Sequence, residues 1–99
     1  MIVTILKIKR RNAEVPTFPR PTAVAEFIAQ CKNEGKLLAE STSRSEDQLT
    51  STYQAIWSTS ADYIEFINNP VIFEFTEERG QHNLIYGSDS EFQILNYED

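Results

Sequence analysis

The sequence predicts an α+β fold in which a four-stranded antiparallel sheet carries its helices on one face. Three observations lead to this prediction. β-branched segments and amphipathic segments follow one another in the order β-α-β-β-α-β. The segment around Trp57 passes from a strand through a Ser/Thr cap into a helix that Asn69-Pro70 interrupts. With 99 residues, of which 40% are hydrophobic, the chain is expected to form one domain over residues 1–99.

The first third of the chain should contain a strand, a loop and a helix. Residues 2–9 are apolar and β-branched, which predicts a strand. Residues 10–21 contain three prolines and predict a loop, because proline is excluded from helix interiors. Residues 22–33 predict a helix that ends before Gly35. The apolar stripe of this helix consists of Val24, Phe27, Ile28 and Cys31.

The middle of the chain predicts a strand pair followed by a second helix. Residues 37–43 and 49–57 are rich in residues that suit a pleated surface, and the short polar segment 44–48 fits a hairpin loop. Thr59 is the expected N-cap of the second helix, with Asp62 three residues later as in a capping box. The buried stripe of this helix is expected to consist of Tyr63, Phe66 and Ile67.

The last third predicts more helix, a loop and a final strand. Pro70 ends the second helix or begins a new turn, and residues 71–79 continue as helix up to Gly80. Residues 80–90 are predicted as a loop and residues 91–97 as the last strand.

The resulting order is ferredoxin-like, with the helices able to cover only one face of the sheet. The first strand carries Ile2, Thr4, Leu6 and Ile8 on one face and Val3, Ile5, Lys7 and Lys9 on the other. Neither face of the first or the third strand is wholly polar. A sheet that is apolar on both sides in so small a chain predicts burial of the free face against a second copy.

Charge and composition exclude several classes of partner. The net charge of −6 argues against a nucleic-acid surface, and the basic run at residues 7–11 is too short to provide one. Residues 45–99 hold eleven acidic residues and a single basic one, Arg79, which we interpret as a solvated acidic face. No run approaches the ~20 apolar residues of a membrane span. The N-terminus has no signal-peptide pattern, so we expect a cytoplasmic protein without a membrane partner.

The run from Ile56 to Phe73 resembles the antibiotic-biosynthesis-monooxygenase-like superfamily. It contains a strand that ends in Trp57, a Ser-rich cap, an aromatic-bearing helix and an Asn-Pro break before more helix. The resemblance implies a dimeric α/β barrel, in which two ferredoxin-like units pack sheet to sheet as a homodimer. The superfamily includes cofactor-independent oxygenases of aromatic polyketides, quinol oxygenases, haem-degrading enzymes and members with no assigned activity.

The haem-degrading branch of the superfamily does not match this chain at its functional positions. The resemblance places the Asn of the first strand at or near Leu6, the helical Trp at Phe66 and the iron-ligating His at Thr76. A threonine cannot replace imidazole as a haem ligand. We therefore expect neither haem binding nor any other cofactor.

The residues able to form a site are few. A candidate cleft between sheet and helices would be built from Thr4, Tyr53, Trp57, Tyr63, Phe66 and His82. Trp57 is interpreted first as a core residue and second as a cleft wall. His82, the only histidine, is expected in an exposed loop, where a solvated side chain is favoured over a general base. One His and the single Cys31 do not supply a metal site or an intrachain disulfide.

Three functions remain open. The first, favoured by the scarcity of polar catalytic candidates, is a non-catalytic binding or structural module that forms a homodimer. The second is a cofactor-independent monooxygenase of a small aromatic or quinone-like substrate. The third is a regulator that binds a small apolar ligand in the same cleft. The deciding observation is whether that cleft is open or filled by its own aromatic side chains.

Overall fold

The computed structural model describes residues 1–96. It contains four strands and three helices, and each predicted element is present. In chain order the elements are β1 Ile2–Lys9, α1 Thr22–Asn33, β2 Leu37–Arg44, β3 Thr50–Trp57, α2 Ser60–Asn68, α3 Pro70–Tyr86 and β4 Asp89–Asn96. None of the helices within these residues is long and apolar enough to cross a membrane.

The four strands form one antiparallel sheet in the order β2-β3-β1-β4. Ile2 of β1 lies opposite Trp57 of β3 and Asn96 of β4, which fixes the register of the three strands. Because side chains alternate along a strand, this register places Trp57 and Tyr53 on the same face as the even-numbered residues of β1. This is the face that the helices cover, as predicted.

The core lies between that face of the sheet and the helices. Helix α1 packs against β2, α2 packs against β3, and α3 packs against both other helices. The buried side chains of the core cluster are Ile2, Val24, Ile28, Cys31, Leu37, Trp57 and Ile72. Full burial of one such aliphatic side chain stabilises the fold by about 1.5–3 kcal/mol, so this cluster is the main source of stability.

The boundary between α2 and α3 follows from two side-chain caps. The Oγ1 atom of Thr59 accepts a hydrogen bond of 3.1 Å from the N–H of Asp62, as the capping-box spacing predicts. The Oδ1 atom of Asn69 accepts a bond of 3.0 Å from the N–H of Val71, and Pro70 occupies the first turn of α3. The Asn-Pro pair therefore ends one helix and starts the next at a new angle.

The predicted loop at residues 80–90 is wrong for most of its length. Helix α3 continues through Gly80 to Tyr86, and β4 begins at Asp89. Helical glycine costs only about 1 kcal/mol relative to alanine, and the tertiary contacts of α3 on both sides of Gly80 offset that cost. The helix ends instead at Gly87, whose left-handed φ of 65° lets its N–H reach the carbonyls of the last turn. The last predicted strand residue, Tyr97, lies outside the described residues.

Candidate functional site

The aromatic half of the predicted cleft is filled. Trp57 is only 2% exposed, and its ring centroid lies 4.6 Å from that of Phe66 and 5.8 Å from that of Tyr63. Phe27 of α1 stacks on Phe66 at 5.7 Å and closes the cluster from the far side. Burial raises the pKa of the Tyr63 phenol above its ordinary value. The structure therefore brings Trp57, Tyr63 and Phe66 together as packed core.

One polar atom in this cluster has no protein partner. The indole Nε1 of Trp57 is buried and makes no hydrogen bond with any residue in the described part of the chain. An unsatisfied buried donor costs about 1–3 kcal/mol. Thr4, another predicted site residue, is 8% exposed and lies in the sheet opposite Ala55.

The open space lies at the other end of the same face, where Tyr53 is found. A partly open cavity of about 20 Å³ lies between the sheet, the segment 16–18 and helix α3. That volume holds roughly one water molecule. The described residues that line it are Ile8, Arg10, Pro16, Thr17, Phe18, Ser51, Tyr53, Arg79, Asn83 and Ser88. We refer to this space as the Tyr53 cavity.

The β1–β3 register builds the floor of the cavity. Ile8 lies directly opposite Ser51, and Leu6 lies opposite Tyr53, so these side chains share the helix-facing side of the sheet. Ser51 is only 5% exposed, although its hydroxyl is a polar group. Ser51 therefore brings a buried donor and acceptor to the lining of the cavity.

The roof of the cavity is the proline-rich segment, and α3 holds it in place. The ring of Phe18 lies 5.7 Å from that of Phe75 and 5.2 Å from that of His82. The Nε2 atom of His82 lies 2.9 Å from the carbonyl oxygen of Pro16. Because a carbonyl can only accept, Nε2 carries the proton and donates this bond. His82 therefore lies on a helix and pins the roof, which corrects its predicted place in an exposed loop.

Arg79 is the residue of the site that sequence reasoning missed. Its guanidinium carbon lies 5.1 Å from the ring centroid of Phe75, and it makes no hydrogen bond or ion pair within residues 1–96. Burial lowers the pKa of this guanidinium from its ordinary value; Tyr53 opposes the shift and Arg20 adds to it. The group stays charged at any physiological pH. A partly buried cation without a counter-ion among residues 1–96 therefore belongs to the lining of the cavity.

Arg10 is the second cation of the lining, and its two terminal nitrogens are already hydrogen-bonded within the chain. Its two terminal nitrogens donate to the carbonyl oxygens of Val15 at 2.8 Å and Gln48 at 2.6 Å. These bonds join the roof segment and the β2–β3 turn to the end of β1. The Nε atom of Arg10 is buried and has no partner in the described chain.

The chemistry of the lining is that of a binding site. The described residues that line the Tyr53 cavity supply two guanidinium groups, hydroxyls and one amide, and none of them carries a carboxylate, an imidazole or a thiol. The lining can therefore donate hydrogen bonds but offers no ordinary general base. No group of three His, Cys, Asp or Glu side chains within the described range is placed to hold a metal ion.

The comparison with solved structures identifies the fold. No protein-family model matches the chain, and no curated protein matches its sequence. A candidate antibiotic biosynthesis monooxygenase from Deinococcus radiodurans superimposes with a TM-score of 0.65 at 12% identity, covering 100% of this chain and 94% of that one. SnoaB, a cofactor-independent oxygenase from Streptomyces nogalater, gives 0.63 at 12% identity, covering 99% and 93%.

A third solved structure is similar to the same extent. A candidate antibiotic biosynthesis monooxygenase from Nitrosomonas europaea gives a TM-score of 0.62 at 13% identity, with 97% of each chain covered. The ferredoxin-like fold predicted from the order of the elements is thereby confirmed, and it is the fold of these monooxygenase-like structures. Likeness at this level of identity concerns the fold alone.

Proposed function

We propose that the protein is a non-catalytic binding module that takes part of a small organic ligand into the Tyr53 cavity. The observation that carries this proposal is the division of the predicted cleft into two parts. Its aromatic half is filled by Trp57 and Phe66, whereas its Tyr53 half retains a cavity with unpartnered polar groups. Pockets with a few convergent polar groups between apolar walls are the usual form of small-ligand sites.

The roof is the part of the site that a ligand would have to move. The cavity holds about one water, so a larger molecule must displace or slide beneath Phe18. The roof is tied to α3 by the bond between His82 and Pro16 and by the ring contacts of Phe18. A ligand with a flat ring could replace these ring contacts by stacking on the same surfaces.

A titration of the wild-type protein with catechol, a neutral aromatic probe, tests this proposal. We expect the amide resonances of the cavity residues to shift while those around Trp57 stay in place. Phe18→Ala should change the affinity for catechol, whereas Phe73→Ala, which removes the same ring from an exposed position on α3, should not. Shifts centred on the Trp57 cluster, or no shifts with either catechol or a charged aromatic probe, would contradict the proposal.

A second candidate function is cofactor-independent oxygenation of a small aromatic or quinone-like substrate. The observation that favours it is the common fold with SnoaB, together with Arg79, which could stabilise the anion of a hydroxylated ring. The lining offers no base, so the substrate would have to ionise without one. Oxygen uptake with catechol or a hydroquinone, dependent on Arg79, would favour this function over simple binding.

We also propose that the protein is a homodimer, joined through the sheet face that the helices leave free. The apolar end of that face carries Val3, Ile5, Ile56 and Leu95, and three of these four remain partly exposed in the single chain. The same patch on two copies can pair with itself around a two-fold axis, as most small dimers do.

Light scattering tests the dimer. We expect the wild-type protein to have twice the mass of its chain at micromolar concentration, and Ile56→Lys to have the mass of one chain. Ile64→Lys places the same charge on the exposed side of α2 and should leave the dimer intact. A monomeric wild-type protein would contradict the proposal.

A further inference from the structure

We propose that the ligand of the Tyr53 cavity bears an oxyanion, a carboxylate or a phosphate group, which the guanidinium of Arg79 binds. This inference rests on the proposed binding function, because it names the chemical class of ligand for the same site. Three features of the cavity support it: an unpaired cation, a set of hydrogen-bond donors around that cation, and a size that admits only a small head group.

The first feature is the isolation of Arg79. In folded proteins a partly buried guanidinium is normally paired with a carboxylate, because removing a charge from water is costly. The chain holds fifteen acidic residues, yet none of the described ones forms an ion pair with Arg79. Glu40, on the same face of the sheet, is already bound by Arg20 and by Lys32. Within residues 1–96, no acidic side chain therefore takes the place of a counter-ion beside Arg79.

The second feature is the surplus of donors. The residues that line the cavity include Ser51, Tyr53 and Asn83, whose side chains carry hydroxyl or amide donors, and the Nε–H of Arg10 is buried without an acceptor among the described residues. A carboxylate or a phosphate consists only of acceptors when it is ionised. Hydrogen bonds from charged donors to such oxygens are about twice as strong as neutral ones. An oxyanion would satisfy more of these groups at once than a neutral molecule could.

The third feature is the size of the space. About 20 Å³ accommodates one water or one or two oxygens of a head group, not a ring. The organic part of the ligand would then lie beneath Phe18, between the roof and α3. The net charge of −6 disfavours anions at long range, but salt screens charges beyond about 8–10 Å, so the local cations decide.

The experiment compares ligands that differ only in charge. Benzoate and benzamide have the same ring and nearly the same shape, and only benzoate is an anion. Each is titrated into the full chain while the amide and arginine Nε–H resonances are followed. We expect the Arg79 Nε–H signal to shift with benzoate, and benzamide to bind about tenfold more weakly or worse, because it lacks the charge-assisted bond.

Variants of Arg79 identify the group responsible. Arg79→Gln should lower the affinity for benzoate by about tenfold and leave that for benzamide nearly unchanged. Arg79→Lys keeps the charge, loses the planar fork and should fall between the two. Arg44→Gln removes the same charge from an exposed position on the sheet that does not line the cavity, and should change either affinity less than about twofold. The wild-type comparison decides the question even where an Arg79 variant fails to fold.

Phenyl phosphate and inorganic phosphate separate the two sources of the oxyanion. Tighter binding of phenyl phosphate supports an organic ligand, and equal binding of the two supports recognition of the anionic group alone. If benzamide or catechol binds the cavity as tightly as benzoate, the anion inference is overturned and the binding function stands. If no probe of either kind shifts the cavity resonances, both proposals are overturned.

Discussion

Replacing Trp57 by alanine should greatly lower the free energy of unfolding of this protein. The side chain is 2% exposed and contacts the rings of Tyr63 and Phe66 within the core cluster. Truncation of a buried aromatic to alanine costs about 3–5 kcal/mol. A domain of this size is held by about 5–15 kcal/mol in total, so Trp57→Ala should lose a large part of its stability. The expected fall in Tm is at least about 12 °C.

Trp57→Phe is the informative comparison, because it keeps a ring and removes the unpartnered Nε1–H. The smaller ring leaves some space, which costs stability, while the loss of a buried unsatisfied donor recovers about 1–3 kcal/mol of it. We therefore expect Trp57→Phe to cost less than half as much as Trp57→Ala.

Thermal and urea unfolding, each followed by far-ultraviolet circular dichroism, measure both variants. Fluorescence is unsuitable, because Trp57 is the only tryptophan and is lost in each. A Trp57→Ala protein that melts within a few degrees of wild type would refute the core assignment. If Trp57→Phe and Trp57→Ala lower the free energy of unfolding equally, the indole N–H makes a favourable bond.

The remaining predictions concern single positions. Gly87→Ala should destabilise the protein by about 1 kcal/mol, because φ is 65° and a Cβ would lie 2.9 Å from the Cδ of Arg11. Gly80→Ala is the opposite case: its added Cβ would have nothing within 4 Å, so this substitution should stabilise α3 by about 1 kcal/mol in the same urea assay. Cys31 should react with a thiol reagent only as the protein unfolds, since burial raises the pKa of its thiol; reaction of the native protein at the rate of a free thiol would contradict this. The hydrogen bonds from Ser45 and Leu49 lower the pKa of Asp47 below its ordinary value. Asp47 therefore stabilises the β2–β3 turn above the pKa that it has in the unfolded chain, and this stabilisation is lost as the pH falls through its lower pKa in the folded protein. In Asp47→Asn, this part of the acid dependence of stability should disappear.

The fold follows from the sequence because its signals are local. The prolines of the 10–21 segment exclude a helix there, and Gly35, with a φ of 75°, ends α1 close to where the pattern predicts. Thr59 and Asn69 cap their helices through contacts two or three residues along the chain. Signals of this kind need no knowledge of the rest of the molecule.

The candidate site depends on contacts that no local pattern contains. Tyr53 belongs to the predicted cleft, but its neighbours are set by the register of β1 on β3 and by the direction of α3. The bond between His82 and Pro16 joins residues 66 positions apart. One residue of the sequence could have indicated the site. Arg79 is the single basic residue of the acidic segment 45–99, but the charge pattern alone led us to interpret that segment as a solvated face.

Helix α3 runs from the core to the cavity, and its length links two errors of the sequence-based predictions. One is the loop predicted at residues 80–90, and the other is the failure to predict the Tyr53 cavity. Ile72, Phe75 and Arg79 lie three and four residues apart, so one face of the helix carries core at its start and cavity in its middle. One turn further, Asn83 reaches the cavity and His82 reaches the roof. A helix that stopped at Gly80 would end before those two residues, so the roof would lose its contacts with His82 and keep the ring contact of Phe18 with Phe75. The interpretation of Gly80 as a stop therefore shortened the helix and hid the cavity that its last turns enclose.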